Sequence, residues 1–195
     1  MATFELRPAS REDAAAIAAV HAESRRVAYA DLLPERELMP WPGRDRVERW
    51  RRLLLGEAPG LETTVAVDPD GRVLGLCSTV LPEGAPGYPA GGAAAGAAAR
   101  DPGPGDASAD GSTPGEIAAL YVDPGSWRSG VGRALAEDAL ARLAAGGCRV
   151  ARVRVLAGNE PALSLYRALG FERDEDAGPP GRDELTLSRT IGDPG

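Results

Sequence analysis

The sequence of 195 residues contains no lysine, a single histidine (His21) and two cysteines (Cys77 and Cys148). Without lysine, a Walker-A phosphate loop, a pyridoxal Schiff base and a lysine nucleophile are all excluded. One histidine and two cysteines are too few for a zinc site of three or four such ligands, so no metal is expected. The cysteines lie in separate predicted strands, and we expect two buried thiols.

Long apolar runs and excess positive charge are also missing. No run approaches the roughly 18 to 20 apolar residues of a membrane span, and the N-terminus lacks the apolar stretch of a signal peptide. The formal net charge of −7 argues against a nucleic-acid partner, because phosphate binding needs clustered cations. These absences predict a cytoplasmic protein that binds neither membrane nor nucleic acid.

Length and composition predict one globular domain over residues 1–195. Hydrophobic residues make up 43% of the chain and charged residues 26%, and domains usually contain about 100 to 200 residues. Residues 82–114 are mostly Gly, Ala and Pro, and Tyr88 is their one large apolar side chain. Such a segment cannot offset an ordering entropy of roughly 1 to 2 kcal/mol per residue. We predict a flexible insert there, which either a substrate lid or low-complexity drift would explain.

Apolar spacing and turn signals predict the element order β-α-α-β-β-β-α-β-α-β-β, which is typical of a mixed α/β sheet with helices on both faces. Ser10 and Asp13 form a capping-box-like start for the first helix. The turn Asp68–Gly71 between β-branched runs predicts a hairpin. His21 lies late in the Ala-rich first helix, and a packed side chain is favoured there because no serine elbow accompanies it.

A candidate anion site follows the predicted strand 116–122. The loop 127–133 contains Gly130 and Gly132, which let the backbone approach a ligand closely, and the N–H groups at the start of the next helix have no partner within the helix. A pyrophosphate is the natural ligand. A Rossmann dinucleotide loop fits less well, because Leu135 stands at its third glycine position.

These residues resemble the acetyl-CoA core of the GNAT superfamily of N-acetyltransferases. The resemblance includes the strand, the Gly-Val-Gly loop and the pattern Asn159-x-x-Ala-x-x-x-Tyr166-x-x-x-Gly-Phe, and it is dense over residues 115–173. The family loop often opens with Gln or Arg where Trp127 stands here. The resemblance implies a GNAT-like mixed, mostly antiparallel central sheet flanked by helices on both faces.

The resemblance also implies binding roles toward acetyl-CoA. Three residues of the strand would run beside the pantetheine arm and offer main-chain groups to it: Leu120, Tyr121 and Val122. Six residues of the loop would hold the pyrophosphate: Arg128, Ser129, Gly130, Val131, Gly132 and Arg133. Asn159 would hydrogen-bond the arm, although Asn before a helix is also a good N-cap. Tyr166 would protonate the departing thiolate, or else pack as a core tyrosine.

Glu116 is the candidate general base, because an alkyl ammonium must lose a proton before it can attack. It lies fourteen residues before Gly130, where the histone-acetylating branch of the family carries its glutamate. An exposed glutamate at a strand edge is the alternative. The branch that acetylates ribosomal protein N-termini carries a glutamate five residues before the motif asparagine, and Arg154 occupies that position here.

The resemblance therefore implies an N-acetyltransferase that moves acetyl from acetyl-CoA to a primary amine by direct attack. The acceptor would be a small-molecule or peptide amine, and a homodimer is in keeping with the family. A catalytically silent acyl-CoA sensor of the same fold is the main alternative. A nicotinamide-dependent oxidoreductase is a third, and it would need a cofactor that this loop should not support.

Overall fold

The computed structural model describes residues 3–34, 38, 43–84, 113–175 and 183–192. Most of the predicted insert 82–114, with Tyr88, lies outside the described residues, so its predicted flexibility stays a prediction. None of the described helices is both long enough and apolar enough to cross a membrane. The observed element order is the predicted one.

Seven strands and four α-helices make up the described chain. The strands are β1 (Glu5–Pro8), β2 (Leu61–Val67), β3 (Val73–Val80), β4 (Gly115–Val122), β5 (Val150–Leu156), β6 (Glu172–Arg173) and β7 (Glu184–Thr190). The helices are α1 (Ala14–Ala28), α2 (Gly43–Arg52), α3 (Val131–Ala145) and α4 (Glu160–Ala168). Short helical turns cover Arg11–Asp13, Leu53–Glu57 and Pro124–Ser126.

The strands form one sheet in the order β1-β2-β3-β4-β5-β7-β6. β1 pairs antiparallel with β2, and β7 pairs antiparallel with both β5 and β6. β4 and β5, which α3 connects, run parallel, with Glu116 opposite Arg152. A parallel pair needs a crossover connection of this kind. The predicted mixed, mostly antiparallel sheet is confirmed.

Two local features predicted from the sequence, the capping box before α1 and the hairpin turn between β2 and β3, are confirmed. The Asp13 carboxylate accepts hydrogen bonds from the Ser10 N–H at 2.8 Å and from both terminal nitrogens of Arg7 at 2.8 Å. In the hairpin turn, the Asp68 carboxylate accepts from the N–H groups of Asp70 and Arg72 at 3.0 and 2.9 Å. Both carboxylates satisfy backbone donors that would otherwise have no partner.

The contacts of the chain separate into two compact units. The first unit consists of Met1–Glu57, Glu62–Ser78 and Ala119–Ala136. It contains α1, α2, the end of β4 and the start of α3. Its fully buried side chains come from helices and strands alike, and include Ile17, Val65, Leu76, Val131 and Leu135.

The second unit consists of Ala58–Leu61, Thr79–Ala118 and Glu137–Gly195. It contains the start of β4, the rest of α3, and β5, α4, β6 and β7. Its core includes Leu143, Ala151, Leu163 and Phe171. Cys148 of this unit and Cys77 of the first are both buried and take part in no disulfide among the described residues, which confirms the prediction of two buried thiols.

Candidate functional site

The loop between β4 and α3 lies in the first unit and is anchored to β3 and the hairpin turn at its β4 end. The Asp123 N–H donates to the Leu74 carbonyl at 2.8 Å, and the Asp123 carboxylate accepts from Arg72 at 2.5 Å. At the other end the backbone is left-handed at Arg128 (φ 60°) and at Gly130 (φ 96°). An arginine in this conformation is strained, and such strain persists only where the surrounding structure holds it.

The first turn of α3 begins directly after the loop, and its N–H groups point away from the body of the helix. The first helical bond runs from the Ala134 N–H to the Gly130 carbonyl at 3.0 Å, so helix geometry leaves the N–H groups of Val131, Gly132 and Arg133 without helical acceptors. No acidic side chain stands in this turn. Apart from Gly130 itself and its two chain neighbours, no heavy atom of the described residues lies within 4 Å of the Cβ that another residue would have at position 130. The turn can therefore receive an anion.

Trp127 ties the loop to the strand that precedes it. Its indole N–H donates to the Val122 carbonyl at 2.8 Å, while its side chain is 37% exposed. The Ser129 hydroxyl donates to the Ser126 carbonyl at 2.6 Å. The sequence showed Trp127 only as a departure from the family pattern, and the structure reveals the bond that it makes.

Gly75 of β3 allows close approach behind the loop, a role that the sequence analysis missed. A Cβ at this position would lie 3.0 Å from the Leu135 side chain and from the Tyr121 carbonyl, and 3.1 Å from Val131. The start of α3 and the end of β4 can therefore pack against β3 only because position 75 lacks a side chain. A glycine inside an otherwise apolar strand was the available signal.

Trp50, His21 and Tyr121 form a cluster of three rings in the first unit. The Trp50 indole N–H donates to His21 Nδ1 at 3.2 Å, so the proton of the neutral imidazole is on Nε2. The His21 ring stacks on Tyr121 with centroids 4.4 Å apart. Burial, together with the positive charges of Arg25, Arg46 and Arg49, lowers the pKa of His21 to about 3. His21 is thus a neutral, packed ring at physiological pH.

In the second unit, Glu116 is paired. Its carboxylate accepts from Arg154 Nη1 at 3.2 Å, and the two side chains are 20% and 24% exposed. β4 lies between β3 and β5 in the sheet, so the alternative of an exposed glutamate at a strand edge is wrong. Arg154 occupies the position that holds a glutamate in the branch acetylating ribosomal protein N-termini, and here it serves as the partner of Glu116.

Asn159 and Tyr166 also belong to the second unit. The Asn159 side-chain oxygen accepts from the Ala162 N–H at 3.3 Å, which confirms the helix cap and leaves the amide donors for any further role. Tyr166 is only 3% exposed, and its ring packs edge-to-face on Phe171 with centroids 5.2 Å apart. Tyr166 thus has the packing of a core tyrosine, and its acid role stays a prediction.

Comparison with known proteins identifies the family. The model of the acetyltransferase (GNAT) family matches residues 34–171, which is more than half of the chain. A curated mycothiol acetyltransferase of Kocuria rhizophila is 43% identical over 72 residues, or 37% of this chain and 22% of that protein. The chain thus matches about a fifth of the length of that relative.

Solved structures share the fold. The PaiA N-acetyltransferase of Thermoplasma acidophilum, in complex with coenzyme A, has a TM-score of 0.68 and 17% identity, covering 96% of this chain and 99% of that one. The ribosomal-protein-S18-alanine N-acetyltransferase of Escherichia coli has a TM-score of 0.62 and 16% identity, covering 99% and 97%. At these identities the likeness concerns the fold alone.

Proposed function

The chain belongs to the acetyltransferase (GNAT) family, and on that basis we propose that it transfers an acetyl group from acetyl-CoA to a primary amine. The amine nitrogen attacks the thioester carbonyl carbon directly, so that a C–N bond forms and the C–S bond breaks. The proposed reaction needs no metal and no covalent enzyme intermediate. The acceptor is a small-molecule or peptide amine.

The backbone of the β4–α3 loop supports this function most directly. Its open left-handed glycine at position 130 and the acid-free first turn of α3 suit a pyrophosphate, because helix N-termini bind anions through N–H groups and the helix dipole. Six residues would hold the pyrophosphate there, namely Arg128, Ser129, Gly130, Val131, Gly132 and Arg133. A nucleotide coenzyme with a pyrophosphate is therefore the ligand that fits this loop.

Four further residues would hold the rest of acetyl-CoA, which supplies the activated acetyl group. Leu120, Tyr121 and Val122 would offer main-chain groups to the pantetheine arm, and Asn159 would contribute its amide donors. The Val122 carbonyl already accepts from Trp127. We assign the Val122 N–H to the thioester oxygen, where it would stabilise developing negative charge.

Glu116 is the proposed base. An alkyl ammonium with a pKa of about 10 is mostly protonated at neutral pH, a penalty of about 4 kcal/mol. Arg154 donates to the Glu116 carboxylate at 3.2 Å, and this bond would fix the orientation of the carboxylate. Arg154 would thus position the base, and Tyr166 would give a proton to the leaving thiolate.

A catalytically silent acyl-CoA sensor is the second candidate. The ion pair of Glu116 with Arg154 and the burial of Tyr166 favour it, because both proposed proton carriers are engaged or enclosed. The curated relative is called a mycothiol acetyltransferase, and its name supports catalysis. Only 22% of that protein is matched, so its acceptor is not transferred to this chain.

Calorimetric titration of acetyl-CoA tests the coenzyme site, with NADH as the competing coenzyme. Gly130→Ala should weaken acetyl-CoA binding about 5- to 30-fold, because the left-handed conformation costs alanine about 1 to 2 kcal/mol and its relief would move the donors of the loop. Gly71→Ala in the hairpin is the matched control, since Gly71 has a φ of 83° and equally open space. The Gly71→Ala variant should be less stable than the wild type and should bind acetyl-CoA with unchanged affinity. Binding of NADH in preference to acetyl-CoA would refute the proposal.

Thiol release from acetyl-CoA over a panel of amines then separates enzyme from sensor. Glu116→Gln and Tyr166→Phe should lower kcat by roughly 10²-fold or more each, the size of a lost acid or base, with little change in acetyl-CoA affinity. Glu172→Gln is the control, because Glu172 is an exposed glutamate of the same unit. Tight acetyl-CoA binding without turnover of any amine would identify the sensor.

A further inference from the structure

Trp127 is an exposed aromatic side chain in the loop that is proposed to hold the coenzyme. Its side chain is 37% exposed, whereas that of Trp50 is 6% exposed. The other large apolar side chains that are exposed among the described residues lie outside this loop, and they are Val27, Leu32 and Leu55. Because single apolar side chains are common on protein surfaces, exposure alone gives Trp127 no role.

The Trp127 ring is held in place, and this distinguishes it from an ordinary exposed side chain. Its indole N–H donates to the Val122 carbonyl at 2.8 Å, and its backbone N–H donates to the Pro124 carbonyl at 3.3 Å. A ring that is held by a hydrogen bond at its edge has already lost side-chain freedom. Less entropy is therefore lost when a ligand packs against the face of the ring.

Trp127 lies between the two parts of the proposed coenzyme site. Its indole is bonded to Val122, the last residue of β4, whose N–H we assign to the thioester oxygen. In the other direction the chain continues through Gly130 to the first turn of α3, where the pyrophosphate would bind. All of these residues lie in the first unit. The pantetheine arm, which joins the pyrophosphate to the thioester, would therefore pass beside this ring.

The chemistry of the pantetheine arm suits an indole. Near its pyrophosphate end the arm has a carbon that carries two methyl groups, and contact with the ring would remove apolar surface of both from water. The Val122 carbonyl has two lone pairs, so the bond from Trp127 leaves one for an amide of the arm. The Gln or Arg that the family often has at this position would offer polar groups and less apolar surface.

We infer that the face of the Trp127 indole packs against the pantetheine arm of acetyl-CoA, which makes Trp127 a further coenzyme-binding residue. The inference rests on the proposed function and adds a side-chain contact to a site built mainly from backbone. Adenosine lies on the far side of the pyrophosphate from the arm, so the ring distinguishes ligands that carry the arm from ligands that lack it. The dimethyl carbon is remote from the thioester, so the contact contributes to binding and not to the chemical step.

Two fragments of the coenzyme test the contact. Phosphopantetheine carries the arm without adenosine, and ADP carries adenosine and a pyrophosphate without the arm. Trp127→Ala should weaken the binding of acetyl-CoA and of phosphopantetheine about 5- to 30-fold in calorimetric titrations, the size expected for the loss of a partly buried ring. The affinity for ADP should change less than threefold.

Two further variants are the controls. Trp127→Phe also lacks the indole N–H but keeps a ring, so it should change each of the three affinities less than threefold. The difference between Trp127→Phe and Trp127→Ala thus measures the ring contact separately from the bond to Val122. Leu55→Ala removes an apolar side chain that is 59% exposed in the same unit and outside the loop, and it should leave all three affinities unchanged. An equal loss of ADP and acetyl-CoA binding in Trp127→Ala would overturn the inference, because the ring would then act on the pyrophosphate or on adenosine.

Kinetics separate this inference from the proposed function. With an amine that is acetylated, Trp127→Ala should raise the KM for acetyl-CoA and leave kcat unchanged. Loss of affinity confined to the ligands that carry the arm, without turnover of any amine, would support the ring contact while the proposed function fails. Acetylation with a KM for acetyl-CoA that Trp127→Ala does not change would refute the ring contact and leave the proposed function intact.

Discussion

The β4–α3 loop of the first unit and the face of β5 in the second unit both present polar and charged groups. The loop presents mainly backbone groups, whereas the β5 face presents charged side chains. The loop relies on backbone: a left-handed glycine at position 130, the donors of a helix start, and carbonyls that accept from Trp127 and Ser129. The β5 face relies on side chains. Arg152 pairs with Asp174 at 2.9 Å, and Arg154 pairs with Glu116 at 3.2 Å.

The two designs respond differently to substitution. Backbone donors survive most side-chain changes, so the loop is sensitive chiefly to residues that set its conformation. A buried ion pair is lost with either partner, and the charge that remains is costly. We therefore expect large stability effects on β5 and small ones at the side chains of the loop.

The largest effect is expected for Arg152→Met. The Arg152 and Asp174 side chains are 5% and 11% exposed, so removal of the arginine leaves a nearly buried carboxylate and should cost about 3 to 5 kcal/mol of unfolding free energy. Urea denaturation measures the loss. Arg142→Met is the control, because its pair with Asp138 is 34% and 25% exposed and should be worth about 1 kcal/mol or less. Similar losses in both variants would break the comparison.

The sequence predicted the backbone features well. The Asp68–Gly71 turn is a local signal, since a positive φ is predicted from a few adjacent residues, whereas Gly130 was predicted only to let the backbone approach a ligand. For the same reason, a helix cap was one of the two roles predicted for Asn159. Where conformation follows from neighbours in the chain, spacing and residue type suffice.

The side-chain pairs could not be predicted. Glu116 and Arg154 are 38 residues apart, and Arg152 and Asp174 are 22 apart. Their pairing depends on strand register, which the crossover through α3 and the insertion of β7 between β5 and β6 set. The alternation of Val and Arg along β5 is typical of a solvated face, yet Arg152 is 4% exposed. The stack of His21 on Tyr121 likewise joins distant parts of the first unit.

A pH-dependent effect, which is smaller over the range from pH 7.0 to 4.5, should distinguish His21 from the ion pair of Asp13 with Arg7 in the first unit. The pKa of His21 is about 3 when folded, and its ordinary value is 6.5. Between these values the unfolded chain binds a proton that the folded chain does not. Stability should therefore fall as the pH decreases from 6.5 toward 3, by at most about 1.4 kcal/mol per pH unit.

The ion pair of Asp13 contributes to stability over a different pH range. The hydrogen bond from Arg7 lowers the pKa of Asp13 from 3.8 to about 2, so this contribution is full above 3.8 and is lost as the pH falls toward 2. Urea denaturation at pH 7.0, 5.5 and 4.5 thus reports mainly on His21. His21→Asn, which keeps an acceptor for the Trp50 N–H, should flatten the slope. An unchanged slope in this variant would show that other groups cause it.

The smallest effect is expected for Trp127→Phe, which keeps a ring at the mouth of the loop and removes the 2.8 Å bond to the Val122 carbonyl. Because Trp127 is 37% exposed, water can replace the lost donor, and the cost should be about 0.5 to 1 kcal/mol. Acetyl-CoA affinity should change less than threefold, since the donors of the α3 start are backbone groups and remain in place. Calorimetric titration of acetyl-CoA into Trp127→Phe and into Gly130→Ala measures this contrast. A tenfold or greater loss in Trp127→Phe would mean that a side chain, and not the backbone, shapes the loop for its ligand.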